Sequence, residues 1–306
     1  MRVLILGMGV QGIKRKKYCE DDFVGYVDPY NKKANWKNIQ EVPLEIYDSV
    51  LACIPDDPKE TIIRFCIENK KHILVEKPLF MSNDKLELLI NNIKNSNIVC
   101  YTAYNHRFEP HFVNLKKLLD SKELGQIYSC RMFYGNGTAR LVRDSEWRDK
   151  ESGVLADLGS HLFDTCSYWF DKKIENTKWK MISCNKFENN APDHCVVVNN
   201  SEKFRVELEM TMLMWKNHFT CDILAENGTV HIESLCKWGP AKFIVRKRIL
   251  PSGVPIETKS ILTQPDPTWK SEYLFFKKLV NENKNINLDW QINLNTILKN
   301  LSNQII

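Results

Sequence analysis

The chain has 306 residues, of which 43% are hydrophobic and 26% are charged, a balance typical of an ordinary globular protein. Its 43 basic and 38 acidic residues leave a net charge of only +5, which argues against a nucleic-acid-binding domain with its concentrated positive charge. We therefore expect no nucleic acid as a partner. No apolar run approaches the roughly 18–20 residues that cross a bilayer, so we expect no membrane as a partner either. The length suggests about two domains.

The ten cysteines indicate a reduced compartment. No two of them have the Cys-x-x-Cys spacing of zinc ribbons and thioredoxin-like motifs, so we expect no metal site. Cys53 and Cys100 lie in apolar, strand-like runs, where cysteine usually packs as a small hydrophobic residue. The apolar stretch near Met1 is too short for a secretory signal peptide, and we therefore expect a cytoplasmic protein.

Strand-like and helix-like segments alternate over roughly the first 105 residues. Short apolar runs predict strands at 3–6, 23–27, 50–54, 72–75 and 98–101. Helical spacing of apolar residues predicts helices at 10–18 and 59–69 and a third that Ser82 or Asn83 can cap. Strands that alternate with helices indicate βαβ units and a mostly parallel sheet.

The pattern changes in the rest of the chain. Helices are predicted at 110–121, 155–170, 269–280 and 290–305, and strands at 126–134 and over much of 176–262. Asn227-Gly228 stands between two strand-like runs, which is a strong signal for a β-hairpin. The sequence therefore predicts an N-terminal α/β domain followed by an α+β domain built on a largely antiparallel sheet.

A glycine-rich string follows the first predicted strand and opens the first predicted helix. It reads Gly7-Met8-Gly9-Val10-Gln11-Gly12, and Asp28 ends the next predicted strand. In a dinucleotide-binding turn the first glycine makes the tight turn, the second lets the backbone approach the pyrophosphate, and the third lets the helix pack closely. Asp28 would accept hydrogen bonds from the ribose and repel a 2′-phosphate, which favours NAD(H) over NADP(H) without excluding the latter. The alternative is a glycine turn that binds no ligand.

Two further groups of residues suggest chemistry. Lys77 follows the strand predicted at 72–75, and the carboxyl ends of parallel strands face the ligand crevice of an open sheet. Asp157 and His161 are four residues apart on a predicted helix, so they share one face, and histidine commonly moves protons near neutral pH. The mid-helix Gly159 indicates close approach by a ligand or another backbone. The structural alternatives are a surface lysine, a helix-terminal acid and a core histidine.

Together these features resemble the Gfo/Idh/MocA family of nicotinamide-dependent oxidoreductases, in order and over nearly the whole chain. The motifs that carry the resemblance are the glycine string at 7–12, Glu76-Lys77-Pro78, Tyr-Asn-His-Arg-Phe at 104–108, Trp147-Arg148 and the segment 153–164. The resemblance implies a Rossmann NAD(P)-binding domain at 1–115. It also implies a substrate-binding and oligomerisation domain at 116–306, whose last helices can pack back on the first domain. The large, mostly antiparallel open sheet of the second domain would form a homodimer or homotetramer.

The resemblance also implies site residues. The catalytic set is Lys77, Asp157 and His161. Cofactor contacts are assigned to Gly7, Gly9, Val10, Gln11, Gly12, Asp28, Ile54, Pro55, Glu76, Lys77 and Asn105. Substrate contacts are assigned to Arg107, Trp147, Arg148, Asp157 and His161.

The implied activity is transfer of a hydride between nicotinamide C4 and a carbinol carbon of a sugar, sugar acid, inositol or nucleotide-activated sugar. A base must take the hydroxyl proton, and His161 is the first choice. Lys77 would then stabilise the developing alkoxide, although Lys77 as the base is the rival assignment. Asp157 would orient the substrate or hold His161.

Two other functions stay open at this point. A non-catalytic NAD(H)-binding sensor or regulatory protein can share the same fold, because fold does not determine function. An enzyme that oxidises and reduces a tightly held NAD within one cycle could instead hydrolyse a glycoside or carry out an elimination. Absorbance at 340 nm distinguishes these, because only a net dehydrogenase changes it.

Overall fold

The computed structural model describes most of the chain, namely residues 1–145, 148–171, 178–201, 204–286 and 288–305. These residues form two compact units. The first unit holds Met1–Asn105 and Thr268–Asn295, and the second holds the described residues of His106–Pro267 and Thr296–Ile306.

The first unit is built on a five-stranded parallel sheet in the order β2-β1-β3-β4-β5. Its strands are β1 (Val3–Leu6), β2 (Phe23–Val27), β3 (Ser49–Ala52), β4 (His72–Glu76) and β5 (Cys100–Ala103). Every residue of β1, β3 and β5 is buried, as expected for parallel strands that are covered on both faces. The predicted parallel sheet is confirmed, with the ends of β3 and β5 two residues away from their predicted places.

Helices pack on both faces of this sheet. They are α1 (Val10–Tyr18), α2 (Lys59–Glu68), α3 (Asn83–Lys94) and, from the end of the chain, α7 (Thr268–Glu282). Alternation along β1 divides the core, because Leu4 and Leu6 pack with residues of α2 and α3, whereas Val3 and Ile5 pack with residues of α7. Ser82 takes the N-cap position of α3 without a side-chain capping hydrogen bond.

The second unit is built on an eight-stranded sheet in the order β13-β12-β11-β10-β6-β9-β8-β7. Its strands are β6 (Ile127–Gly135), β7 (Trp179–Asn185), β8 (His194–Asn200), β9 (Arg205–Thr211), β10 (His218–Ala225), β11 (Gly228–Glu233), β12 (Ala241–Ile249) and β13 (Gly253–Leu262). Only the β6–β9 pair is parallel among these strands, so the predicted, mostly antiparallel sheet is confirmed. The predicted hairpin is β10–β11, which turns between Ala225 and Gly228.

Four further helices lie among the described residues. They are α4 (Pro110–Asp120), α5 (Ala139–Arg143), α6 (Ser160–Phe170) and α8 (Leu288–Ser302). The helix predicted at 155–170 begins with a π-helical turn, Leu155–Gly159, before it continues as α6. The short α5 had no sequence signal. No helix in the described ranges combines the length and the hydropathy that a bilayer crossing requires.

Candidate active site

The glycine string forms a tight turn between β1 and α1. Gly7 has φ +82°, in the left-handed region that favours glycine, and a Cβ there would collide with the carbonyl oxygen of Cys53. A Cβ at Gly12 would collide with the carbonyl oxygen of Gly7. At Gly9, by contrast, a Cβ would meet no atom within 4 Å. The turn itself requires the outer two glycines, while the middle one borders open space, which is the arrangement that a pyrophosphate needs at a helix N-terminus.

Asp28 ties this turn to the loop after β2. Its Oδ2 accepts a hydrogen bond from the backbone N–H of Met8 at 2.9 Å, and its Oδ1 accepts from Tyr30 and Asn31 at 3.0 Å each. Partial burial works against the charged form, but these backbone donors prevail and lower the pKa of Asp28. The residue is therefore a carboxylate fixed beside the glycine turn.

Glu76 lies in a buried cluster of charges that we call the ion triad, formed by Arg15, Glu76 and Glu272. Arg15 Nε donates to Glu76 Oε1 at 2.6 Å, and Arg15 Nη1 lies 3.0 Å from Glu272 Oε2. The side chains of Arg15 and Glu272 are 3% and 0% exposed. The ring of Trp269 lies 4.8 Å from the guanidinium. The Glu76 carboxylate, predicted to contact the cofactor, is thus hydrogen-bonded to a residue of α1.

The two carboxylates of the triad share one guanidinium, and this lifts the pKa of Glu272. Burial is the main cause, the charge of Glu76 adds to it, and Arg15 only partly opposes it, so that the pKa reaches about 7. The two carboxylates raise the pKa of Arg15 despite its burial. Arg15 is therefore a fixed cation, whereas Glu272 is poised to titrate.

Lys77 is half-buried directly after β4, at the carboxyl end of the parallel sheet. The segment that follows is anchored by Lys59, whose ammonium donates to the carbonyl oxygen of Pro78 at 2.8 Å and to Asp56 Oδ1 at 2.5 Å. Lys59 is only 2% exposed, so this anchor lies inside the unit. Lys77 is thus held at its predicted place on the edge where ligands bind in open α/β sheets.

Three further predicted cofactor residues lie at the same end of the sheet. Ile54 is half-buried and Pro55 is exposed, just after β3. Asn105 follows β5, is 8% exposed, and donates from Nδ2 to Thr268 Oγ1 at 2.8 Å. The side-chain amide of Asn105 is thus bonded to the start of α7.

In the second unit, the π-helical turn and α6 position Asp157 and His161. Asp157 Oδ2 lies 3.2 Å from Arg148 Nη2, and each of these side chains is about one-third exposed, at 34% and 31%. A Cβ at Gly159 would lie 2.8 Å from the sulfur of Met210 on β9. The close approach predicted at Gly159 is therefore made by a side chain, rather than by the ligand or backbone that the sequence suggested.

His161 belongs to a polar group that we call the imidazole cluster, formed by His106, Tyr134, His161 and Lys237. The rings of His106 and His161 stack with centroids 4.1 Å apart at 21°, and the ring of Tyr134 lies 5.4 Å from His106 and 6.3 Å from His161. Lys237 Nζ is 3.3 Å from His106 Nε2 and 3.4 Å from the Tyr134 hydroxyl. The Lys237 side chain as a whole stays exposed to solvent.

Carboxylates also act electrostatically on the ammonium end of this cluster. Desolvation by the neighbouring protein lowers the pKa of Lys237, and the attraction of Asp266, Glu109 and Asp157 only partly offsets it. Glu109 is 1% exposed and accepts a hydrogen bond from the backbone N–H of Cys236 at 2.6 Å. Burial raises the pKa of Glu109. The cluster is therefore a group of mutually interacting acids and bases around a predicted catalytic histidine.

The remaining predicted substrate residues have different surroundings. Arg107 donates to both oxygens of Asp164, at 2.7 and 2.6 Å, and Asp164 is only 1% exposed. This bidentate pair fixes Arg107 against α6. Trp147 lies outside the described residues. Among the described residues, no group of three His, Cys, Asp or Glu side chains could hold a metal ion.

Sequence reasoning missed Lys237 and Arg15 and noted His106 only inside a motif string. No spacing rule marks Lys237, because it lies in the short turn Cys236–Trp238 after β11 and far along the chain from the other cluster members. Arg15 had a faint signal, since a charged residue three positions after Gly12 faces inward when the helix packs closely.

Known proteins match both units. Residues 2–104 match the oxidoreductase family with an NAD-binding Rossmann fold, and residues 112–231 match the GFO/IDH/MocA C-terminal domain. Glucose-6-phosphate 3-dehydrogenase of Bacillus subtilis is 25% identical over 48% of this chain and 44% of its own length. Myo-inositol 2-dehydrogenase of Thermotoga maritima is 23% identical over 42% of this chain and 37% of its own. The matches thus span less than half of each of these curated relatives.

The fold also matches solved structures. A levoglucosan dehydrogenase in complex with NADH superposes with a TM-score of 0.83, covering 99% of this chain and 97% of that one, at 16% identity. At that identity the likeness establishes the architecture alone.

Proposed function

Because the chain belongs to the Gfo/Idh/MocA family of oxidoreductases, we propose that it transfers a hydride between nicotinamide C4 and a carbinol carbon of a small carbohydrate. The observation that carries this proposal is the glycine turn, which is sterically closed at Gly7 and Gly12 and open at Gly9. The substrate class is a sugar, sugar acid, inositol or nucleotide-activated sugar. Relatives named for glucose 6-phosphate and myo-inositol support that class.

The residues around the turn fit a dinucleotide. Gly9 and the N-terminus of α1 would hold the pyrophosphate, and the fixed carboxylate of Asp28 would bind the adenosine ribose and disfavour a 2′-phosphate. We therefore propose NAD(H) as the preferred cofactor, with NADP(H) as the second choice. When bound, the nicotinamide supplies the redox chemistry by taking up or giving back the hydride.

The protein's own residues would move the proton. We propose that His161 accepts the proton of the substrate hydroxyl and that the Lys77 ammonium hydrogen-bonds the same oxygen to stabilise its developing negative charge. Asp157, held by Arg148, would orient the substrate. Support for His161 comes from the imidazole cluster around it, and support for Lys77 from its place at the carboxyl end of β4.

A spectrophotometric assay tests the proposal. The purified chain is mixed with NAD or NADP and a panel of sugars, sugar acids, inositols and nucleotide sugars, and absorbance is followed at 340 nm. Lys77→Met and His161→Gln should each lower kcat/KM by about 100- to 10,000-fold while NADH affinity, read by fluorescence, stays near wild type. Lys85→Met, at an exposed lysine of α3, is the matched control and should retain full activity. Full activity in both site variants would refute these roles.

The same assay separates the other functions. NADH binding without turnover of any panel member would favour a sensor. Substrate turnover without any change at 340 nm would favour a cofactor that is oxidised and reduced within one cycle.

We also propose that the chain is a cytoplasmic homodimer or homotetramer that associates through the eight-stranded sheet. Alternate residues of β10 support this, because Cys221 and Ile223 are buried while Asp222 and Leu224 on the other face are exposed. All ten cysteines are free thiols, which supports a reducing compartment. Light scattering of the purified protein tests the oligomer, and a monomer at micromolar concentration would refute it.

A further inference from the structure

The contact between Lys237 and His106 bears on the protonation state of the imidazole. An ammonium group carries three N–H donors and no acceptor. Lys237 Nζ lies 3.3 Å from His106 Nε2, so a hydrogen bond there requires an unprotonated Nε2. In the state in which Lys237 is an ammonium ion, His106 is therefore a neutral imidazole that carries its proton on Nδ1.

Because His106 stacks on His161, the protonation state of His106 affects the protonation of His161. With ring centroids only 4.1 Å apart, two imidazolium ions would repel one another strongly. A neutral His106, by contrast, presents a polarisable face to its partner. Because His106 Nε2 is occupied by the Lys237 contact, a proton added to the stacked pair is placed on His161.

Charged groups also lie on the elements that carry the stacked pair and its neighbours. Asp157 and Asp164 lie on the helical segment that carries His161, His106 and Arg107 on the turn Asn105–Phe108, Tyr134 on β6, and Lys237 after β11. Arg107 and Asp164 neutralise each other, as do Arg148 and Asp157 at longer range. Glu109 and Asp266 act on Lys237. Lys237 is therefore the cation of the cluster that has no carboxylate hydrogen-bonded to it among the described contacts.

We propose that Lys237 is a positioning residue that keeps His106 neutral and thereby confines the proton of the stacked pair to His161. This rests on the proposed function for the origin of that proton, which is the substrate hydroxyl. As the hydride leaves carbon, the O–H bond breaks and an N–H bond forms on His161. The ammonium also disfavours a second positive charge nearby, so His161 stays able to accept a proton at lower pH than it otherwise would.

Histidine NMR titration tests the proposal without any turnover. In Lys237→Met the pKa of His161 should rise by about one unit, because a nearby cation is lost while the neighbouring carboxylates remain. His106 should begin to titrate in the same variant, whereas in wild type it stays neutral. Lys237→Arg, which preserves a cation with donors only, should behave like wild type. Resonances are assigned with His106→Gln and His161→Gln.

The control is Lys242→Met, which removes an exposed lysine of β12 that pairs with Glu233. It should leave both histidine titrations unchanged. An unmoved His161 pKa in Lys237→Met would overturn the proposal. If that variant does not fold, Lys237→Gln replaces it, and the same reading applies.

The pH profile of kcat/KM gives an independent measurement once a substrate is known. The acid limb should move to higher pH in Lys237→Met by the same amount as the NMR pKa, while the rate at high pH stays near that of wild type. A merely structural role would lower the rate at every pH instead. Absence of turnover with any substrate would refute the proposed function alone, whereas an unmoved His161 pKa would refute the role of Lys237 alone.

Discussion

The two units each contain a cluster of charged groups, and the two clusters differ in how their cation is paired. In the ion triad, Arg15 and Glu272 are closed to solvent, Glu76 is 15% exposed, and the guanidinium contacts both carboxylates directly. In the imidazole cluster, Lys237 contacts His106 and Tyr134, neither of which is a carboxylate. Lys237 is exposed, whereas His106 and Tyr134 are buried. Desolvation of the charged group shifts the pKa in both clusters: it raises the pKa of the buried Glu272, and at the ammonium end of Lys237 the neighbouring protein lowers the pKa.

This difference separates a structural use of charge from a chemical one. Paired ions that are sealed from water hold elements together, because breaking one pair leaves a bare charge in a medium that solvates it poorly. Here the triad links α1, β4 and α7, next to both the glycine turn and Lys77. Groups that contact one another without neutralisation can instead exchange protons.

The largest effect on stability is expected for Arg15→Met, which leaves the buried Glu272 and the partly buried Glu76 without their cation. We expect a loss of about 3–5 kcal/mol in the free energy of unfolding at neutral pH. Denaturant unfolding followed by circular dichroism measures it. Arg64→Met is the matched control, since Arg64 pairs with Glu60 on the partly exposed surface of α2 and should cost less than about 1 kcal/mol. Equal costs for the two variants would contradict a structural role for the triad.

The pH dependence of stability sharpens the contrast. Folding raises the pKa of Glu272 from 4.5 to about 7, so the folded state binds this proton more tightly than the unfolded chain. Its contribution is fully present below pH 4.5 and is lost as the pH rises through about 7, an effect of about 3 kcal/mol at 1.36 kcal/mol per unit. Glu272→Gln should remove this dependence, as measured by unfolding at several pH values. A variant that loses stability in parallel with wild type over that range would rule out Glu272 as its source.

Features that depend on neighbours in the chain were predictable from the sequence. The parallel strands, the hairpin at Asn227-Gly228 and the glycine turn all follow from local patterns of apolar residues and glycines. Gly7 and Gly12 could be assigned their steric roles because each role concerns backbone within or beside the turn.

Both charged clusters escaped prediction because their members are distant in sequence. Lys237 meets His106 across 131 positions, and Arg15 meets Glu76 across 61. No periodicity relates such residues, and only the folded sheets bring them together. The expected close approach at Gly159 was misassigned for the same reason, since Met210 reaches it from another strand.

Substitutions in the glycine turn should lower stability less than Arg15→Met does, and for a steric rather than an electrostatic reason. Gly12→Ala should destabilise the protein by about 1–3 kcal/mol, because the new Cβ collides with the Gly7 carbonyl oxygen. Gly9→Ala meets no atom and should cost no more than about 1 kcal/mol, the loss expected for alanine at the N-cap of α1. It should nevertheless weaken NADH binding about tenfold or more, because the methyl group would enter the space proposed for the pyrophosphate. Unfolding curves and NADH fluorescence titration separate the two effects. Unchanged NADH affinity in Gly9→Ala would place the dinucleotide elsewhere.

The smallest expected effect comes from an ion pair of the second unit. Arg148 and Asp157 lie 3.2 Å apart with 31% and 34% of their side chains exposed. Water therefore screens the attraction between them more than it screens the ion pairs of the triad. Arg148→Gln should therefore lower the free energy of unfolding by less than about 1 kcal/mol, several times less than Arg15→Met does in the same experiment. A loss as large as that of Arg15→Met would mean that the pair at Asp157 is structural after all. The division between structural charges in the first unit and chemically active charges in the second would then not hold.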